Sequence, residues 1–226
     1  MNYRKIKKTF LIVSSGRAVD ISLTFINNII LTAILSISEV GVYFLLLSIV
    51  LFLSSVSRFG VGRASVRLIA EFVITKEHGK ANIVAILSLA IGLIVSSFIA
   101  YLLQFEYYYG SVSEIFKIEV LGYLLMISSL WIIALTIQTL VSEIFKGHGL
   151  FAKATFFGGV FTRILTTIFL VYLSLLETSS IQEVVGLSIL ACYISTLLSV
   201  LILWLGSGSA KYLSKNINTW TFFNSG

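Results

Sequence analysis

The chain has no proline in its 226 residues, a single cysteine and only 12% charged residues. Each shortage excludes something. One thiol, Cys192, cannot form an intramolecular disulfide. With no proline and no long glycine- and serine-rich run, nothing marks a linker, so one continuous bundle is expected rather than two tethered domains. Asp20 is the sole aspartate, so the paired aspartates of metal-dependent phosphoryl or glycosyl transfer cannot be assembled. No Walker loop, HExxH, cysteine pair or GxSxG segment occurs, and the two histidines, His78 and His148, lack partners at metal-ligand spacing. The chain is therefore read as a non-enzyme without cofactor or metal. Any work it performs must draw on an ion gradient or on the gradient of its own substrate.

What is present is apolar. Hydrophobic residues make up 58% of the chain and mean hydropathy is +1.01, against roughly 45–50% apolar in soluble domains. The expectation is an all-α polytopic membrane protein with six spans, near 9–36, 39–57, 82–105, 119–141, 153–175 and 184–206. Each is close to or above the ~20 residues that cross a bilayer. Residues 1–206 would form one six-helix lobe, and 207–226 a cytoplasmic tail or an inter-lobe linker. The opening MNYRKIKK suits a signal peptide, but the apolar run behind it is too long and has no small-residue cleavage site. It reads as an uncleaved start-transfer helix.

The net charge of +6 could point to nucleic acid, but its distribution does not. One side holds Arg4, Lys5, Lys7, Lys8, Arg58, Arg63, Arg67, Lys76, Lys80, Lys146, Lys153, Lys211 and Lys215. The other holds Lys117 with Glu39, Glu106, Glu114, Glu119, Glu177 and Glu183. So strong a bias places both termini in the cytoplasm, with the basic excess facing anionic lipid and no nucleic-acid partner. Tyr107, Tyr108, Tyr109 and Trp204 fall at span ends, where amphipathic rings favour the interface.

The first span carries charge. Ser14, Arg17, Asp20, Thr24, Asn27, Asn28 and Thr32 fall within about 140° of a helix circumference, a polar stripe that suits a water-filled cavity or polar partners better than lipid. Arg17 sits ~12 Å into its span, with Asp20 in reach at i,i+3. Arg163 lies ~15 Å into the fifth span beside Thr162, Thr166 and Thr167, with no acid in its own helix. If they share one cavity, Arg17, Arg163 and Asp20 leave it net positive, and guanidinium groups suit phosphate. The competing reading starts the first span near Ala18, with Arg17 snorkelling to the headgroups. Arg163 resists that treatment, because 164–176 is too short to cross. Asn27 and Asn28 would either line the cavity or bond a neighbouring helix, and Gln138, Gly158 and Gly159 read as packing positions. Between the second and third spans, 57–72 has the pattern of a short amphipathic helix at the inner interface. Its Arg63 and Arg67 would contact anionic headgroups or capture substrate, or simply stop transfer.

Two stretches carry a family likeness. RFGVGRASVRLIAEFVITKEHGKANIVAILSLAIGL (58–93) resembles the segment joining the second and third helices of polysaccharide repeat-unit flippases, through Phe59, Gly60, Gly62, Val66, Arg67, Leu68, Ile69 and Ala70. The opening 15–48, with Gly41 and Tyr43 after the acidic turn, and FKGHGLFAKATFFGGVFTRIL (145–165) are similar too. The resemblance is to the multidrug/oligosaccharidyl-lipid/polysaccharide exporter superfamily. It implies one lobe of a two-lobe fold that works by alternating access, with first-helix cations meeting a lipid pyrophosphate. By that likeness Arg17 takes this role with Asp20 beside it, while Arg163 is assigned from its depth and pairing. Members have two lobes, and this chain matches the N-terminal one, so a second lobe or a homodimer partner is implied.

The expected function is transport of an undecaprenyl-diphosphate-linked O-antigen or capsule repeat unit across a bacterial inner membrane. Its partners would be that lipid-linked oligosaccharide and the membrane lipids, with sugar hydroxyls meeting Asn27 and Asn28. The alternatives are a multidrug cation antiporter lobe, a non-functional truncated remnant and a membrane-embedded polyprenyl-phosphate enzyme.

Overall fold

The computed structural model of the chain describes residues 3–109, 119–176 and 180–207. The expected tail, the basic Lys117 and the acidic Glu114 and Glu177 lie outside those residues. Eight α-helices make up almost all of the rest: α1 (Tyr3–Ile34), α2 (Ile37–Arg58), α3 (Val61–Ile74), α4 (His78–Tyr109), α5 (Glu119–Gly147), α6 (Phe151–Thr155), α7 (Phe161–Leu175) and α8 (Ile181–Ser207). A π-helical stretch, Phe156–Val160, joins α6 to α7. Six spans are long and apolar enough to cross a membrane: Thr9–Ile34, Ile37–Arg58, His78–Phe105, Gly122–Gly147, Phe151–Leu175 and Ile181–Leu205. The chain is an all-α six-helix membrane protein. Every expected span is present, within four residues at each end except that the fourth, expected to stop at 141, runs on to Gly147.

The turns follow from their sequences. Between α1 and α2, Ser36-Ile37-Ser38-Glu39 forms a capping box: the Glu39 amide donates to Ser36 Oγ (3.4 Å) and the Ser36 amide to Glu39 Oε2 (2.9 Å). Ser180 and Glu183 repeat the arrangement at the start of α8. Both satisfy amide donors that a helix start would otherwise leave unpaired.

The bundle packs around α5, which touches α2, α3, α4, α6 and α8. Leu124, Ile132, Leu140, Val141 and Ile144 of α5 are fully buried. Close approach depends on glycine at two contacts. A β-carbon on Gly92 of α4 would fall 2.2 Å from Leu140 Cδ1, and one on Gly147 would fall 2.9 Å from Ile69 Cβ. Apolar packing alone gives little drive for helix association in lipid, so buried hydroxyls add interhelical bonds. Thr136 Oγ1 of α5 donates to Ser54 Oγ of α2 (3.2 Å), and Ser65 of α3 pairs with Ser88 of α4 (2.5 Å).

α3 realises the amphipathic pattern expected for 57–72. Its buried face is Gly62, Ser65, Ile69 and Val73, at helical spacing. Ile69 and Val73 join Ala81, Ala85 and Ile144 in one apolar cluster. Together with the Ser65–Ser88 bond, this runs α3 antiparallel along the first turns of α4.

Candidate functional site

α1 lies at the edge of the bundle and docks on one continuous strip, α6 through the π-helical stretch to α7. The contact repeats every fourth residue on the receiving side. Gly16 meets Thr155, where a β-carbon would stand 2.4 Å from Cγ2. Asp20 covers Gly159, where a β-carbon would stand 3.0 Å from Oδ1. Asn27 reaches Arg163 and Thr167. Residues 155, 159, 163 and 167 share one helical face, as do 16, 20 and 27, so α1 and α7 run side by side in the same direction.

Asn27 is buried and bonded at both ends of its amide. Nδ2 donates to the Arg163 carbonyl (3.5 Å), and Oδ1 accepts from Thr167 Oγ1 (2.7 Å). Of the two options for this residue, the structure displays the interhelical bond. Asn28 beside it is half-buried, and Thr24 bonds back to the Asp20 carbonyl (2.8 Å).

The charges arrange differently from the expectation. Asp20 faces Arg163 across the helix pair, Nε to Oδ1 at 3.8 Å, with side chains 36% (Arg163) and 38% (Asp20) exposed. It forms no ion pair with Arg17, its i,i+3 neighbour. The reason is the face: Asp20 lies on the side of α1 that packs against Gly159, whereas Arg17 is on the exposed side. At 3.8 Å the Asp20–Arg163 contact is too long for a hydrogen bond. Accordingly Asp20 Oδ1 is buried with no hydrogen-bond partner. No described residue accepts a hydrogen bond from the Arg163 guanidinium, or from that of Arg17. Arg163 is twelve residues from either end of the span Phe151–Leu175, and Arg17 is eight residues, ~12 Å, beyond Thr9.

Gln138, a packing position in the sequence reading, is the buried polar centre behind this strip. From α5 its Nε2 donates to the Phe157 carbonyl (2.8 Å) in the π-helical stretch and to Ser195 Oγ (3.0 Å) of α8, and also contacts Thr162 Oγ1. Its Oε1 accepts from Cys192 Sγ (3.3 Å). One turn on, Ser142 Oγ donates to the Ala154 carbonyl (2.9 Å) and sits where a β-carbon on Gly158 would go, 2.6 Å away. α5 thus holds the strip from behind while α1 covers its front. The sequence signal for this support was weak: a glutamine, a serine and two adjacent glycines within apolar runs.

Arg63 and Arg67 are elsewhere, exposed on the outer face of α3. Among the described residues no group of three or more histidine, cysteine, aspartate or glutamate side chains gathers to hold a metal. Comparison of the chain with family models, with curated proteins and with solved structures gives no match.

Proposed function

We propose that this chain is one lobe of a transporter for an anionic lipid-linked oligosaccharide, an undecaprenyl-diphosphate repeat unit on its way to surface polysaccharide in a bacterial inner membrane. The observation that carries the reading is the state of the two arginines. A guanidinium within a membrane span is costly unless it pairs, and here neither Arg17 nor Arg163 has a hydrogen-bond acceptor among the described residues. A diphosphate supplies what is missing, through forked hydrogen bonds and charge. Arg163, from mid-span, and Arg17, from the exposed side of α1, would grip it. Asp20 would hold Arg163 loosely in place between cargoes, and Asn28 would meet sugar hydroxyls. Contact by Asn27 would require it to leave the Arg163 carbonyl and Thr167.

The remaining charge also favours this reading over a cation antiporter. With Asp20 as the one acid beside two arginines, the site is net positive and repels a cationic drug. Alternating access needs two lobes that move against each other. A second six-helix lobe or a second copy of this chain would cover the open side of α1 and α7. The basic residues at the α2–α3–α4 and α5–α6 turns favour a cytoplasmic location for that end and for both termini.

Reconstitution in liposomes tests the function. A lipid-linked diphosphate oligosaccharide should change leaflets in vesicles holding the wild-type chain and stay in place with Arg163→Ala. Equal movement with the variant removes Arg163 from the mechanism; no movement with the wild-type chain removes the transport reading for the chain alone.

A further inference from the structure

The turn from α2 into α3 has an odd composition. Phe59 takes a left-handed backbone conformation (φ 34°, ψ 48°), followed by Gly60 at φ 78°. Glycine adopts that region freely, whereas a bulky side chain does so rarely. The Phe59 ring gains nothing from the protein interior in return, since it is 86% exposed. Beyond it, Arg63 and Arg67 sit one turn apart on the outer face of α3, both exposed, with Leu68 exposed beside them. Neither arginine has an ion pair or hydrogen bond among the described residues. The neighbouring Lys80 and Lys146 differ, being held by Glu77 (2.9 Å) and Glu143 (3.0 Å).

We propose that the Phe59 turn and the outer face of α3 form a binding surface for anionic phospholipid, independent of the transport site. The order along the surface fits such a molecule. α3 runs antiparallel to the first turns of α4, with Ser65 paired to Ser88 and Ile69 and Val73 packed with Ala81 and Ala85, so its Phe59 end lies furthest from the His78 start of that span. Phe59, at the α2 end of α3, is therefore the deeper contact, and Arg63 and Arg67 follow ~6 and ~12 Å further toward the surface. The ring meets acyl chains and the arginines meet phosphate. Zwitterionic lipid would satisfy the ring but not the unpaired charges, so charge complementarity selects an anionic headgroup. Near a membrane surface each arginine contributes about a fivefold preference for anionic lipid, so the pair should enrich it about 25-fold.

Tryptophan quenching reads this directly. Phe59→Trp is made with Trp204→Phe and Trp220→Phe, leaving the buried Trp131 as an internal reference. The protein is placed in phosphatidylcholine nanodiscs with a low mole fraction of brominated phosphatidylglycerol or brominated phosphatidylcholine. The expected result is far stronger quenching at position 59 by the phosphatidylglycerol form, lost in Arg63→Gln/Arg67→Gln and kept in Arg63→Lys/Arg67→Lys. Trp131 should respond alike in all three proteins, showing an unchanged fold. Equal quenching by the two lipids, or a preference that survives the glutamine pair, overturns the proposal. Failure of the transport assay leaves this result untouched, since no residue is shared.

Discussion

A guanidinium at the centre of a span carries five N–H donors, and Arg163 has found only a carboxylate 3.8 Å away for them. That geometry sets what substitutions at the pair should do. Asp20→Asn removes one negative charge beside the two arginines proposed to bind the anion, so diphosphate should bind about fivefold more tightly at low salt, with the gain shrinking as salt rises. Titrations at two ionic strengths measure it. Asn27→Ala leaves Thr167 and the Arg163 carbonyl without their α1 partner and should cost about 1–2 kcal/mol, seen as a lower Tm in detergent. At the turn after α5, burial holds the His148 imidazole below its ordinary pKa of 6.5, and the charge of His78 adds to the effect. The unfolded chain therefore binds the extra proton first. This group costs nothing above pH 6.5 and destabilises the fold as the pH falls below it. Tm measured from pH 7.5 to 5 should drop, and less steeply in His148→Gln.

At the scale of elements, the α1 contact with the α6–α7 strip depends on space as much as on charge. Gly16→Ala would drive a β-carbon to 2.4 Å from Thr155 Cγ2, so α1 should lift from the strip and Arg163 lose Asp20. Thr155→Ser deletes that methyl, and the double variant should recover both Tm and diphosphate affinity; an unrelieved double variant would refute the packing explanation. The π-helical stretch behaves as a clamped irregularity, a feature common at functional sites. Gln138→Leu removes the side-chain bonds to the Phe157 carbonyl, Ser195 and Cys192 and should cost about 1–3 kcal/mol. The sequence made some of this legible. The amphipathic pattern of 57–72, with Arg63 and Arg67 at i,i+4, indicated α3, and the glycine pair 158–159 indicated close packing. The Asp20–Arg163 pairing was hidden, because i,i+3 proximity favours Arg17 and nothing local reports that Asp20 faces another helix. The π-helical stretch was hidden too, since nothing local reports that its Phe157 carbonyl is bonded by a glutamine on α5.

For the whole molecule, hydropathy gave the six spans because lipid rewards apolar length whatever the neighbours are. It could not rank the helices by position. The charged first span draws the eye in the sequence, yet α5 is the centre and α1 an edge. An edge position is what a site open to cargo requires, since a buried α1 would bury Arg17 with it. The most direct test is therefore equilibrium binding of polyprenyl diphosphate, against the alcohol of the same chain length, to the protein in nanodiscs. The account predicts strong preference for the diphosphate, weakened by salt and reduced roughly 10- to 100-fold by Arg163→Ala, as expected for loss of a charge-assisted bond. Equal affinity for diphosphate and alcohol, or an Arg163→Ala protein that binds diphosphate like the wild type, would contradict it.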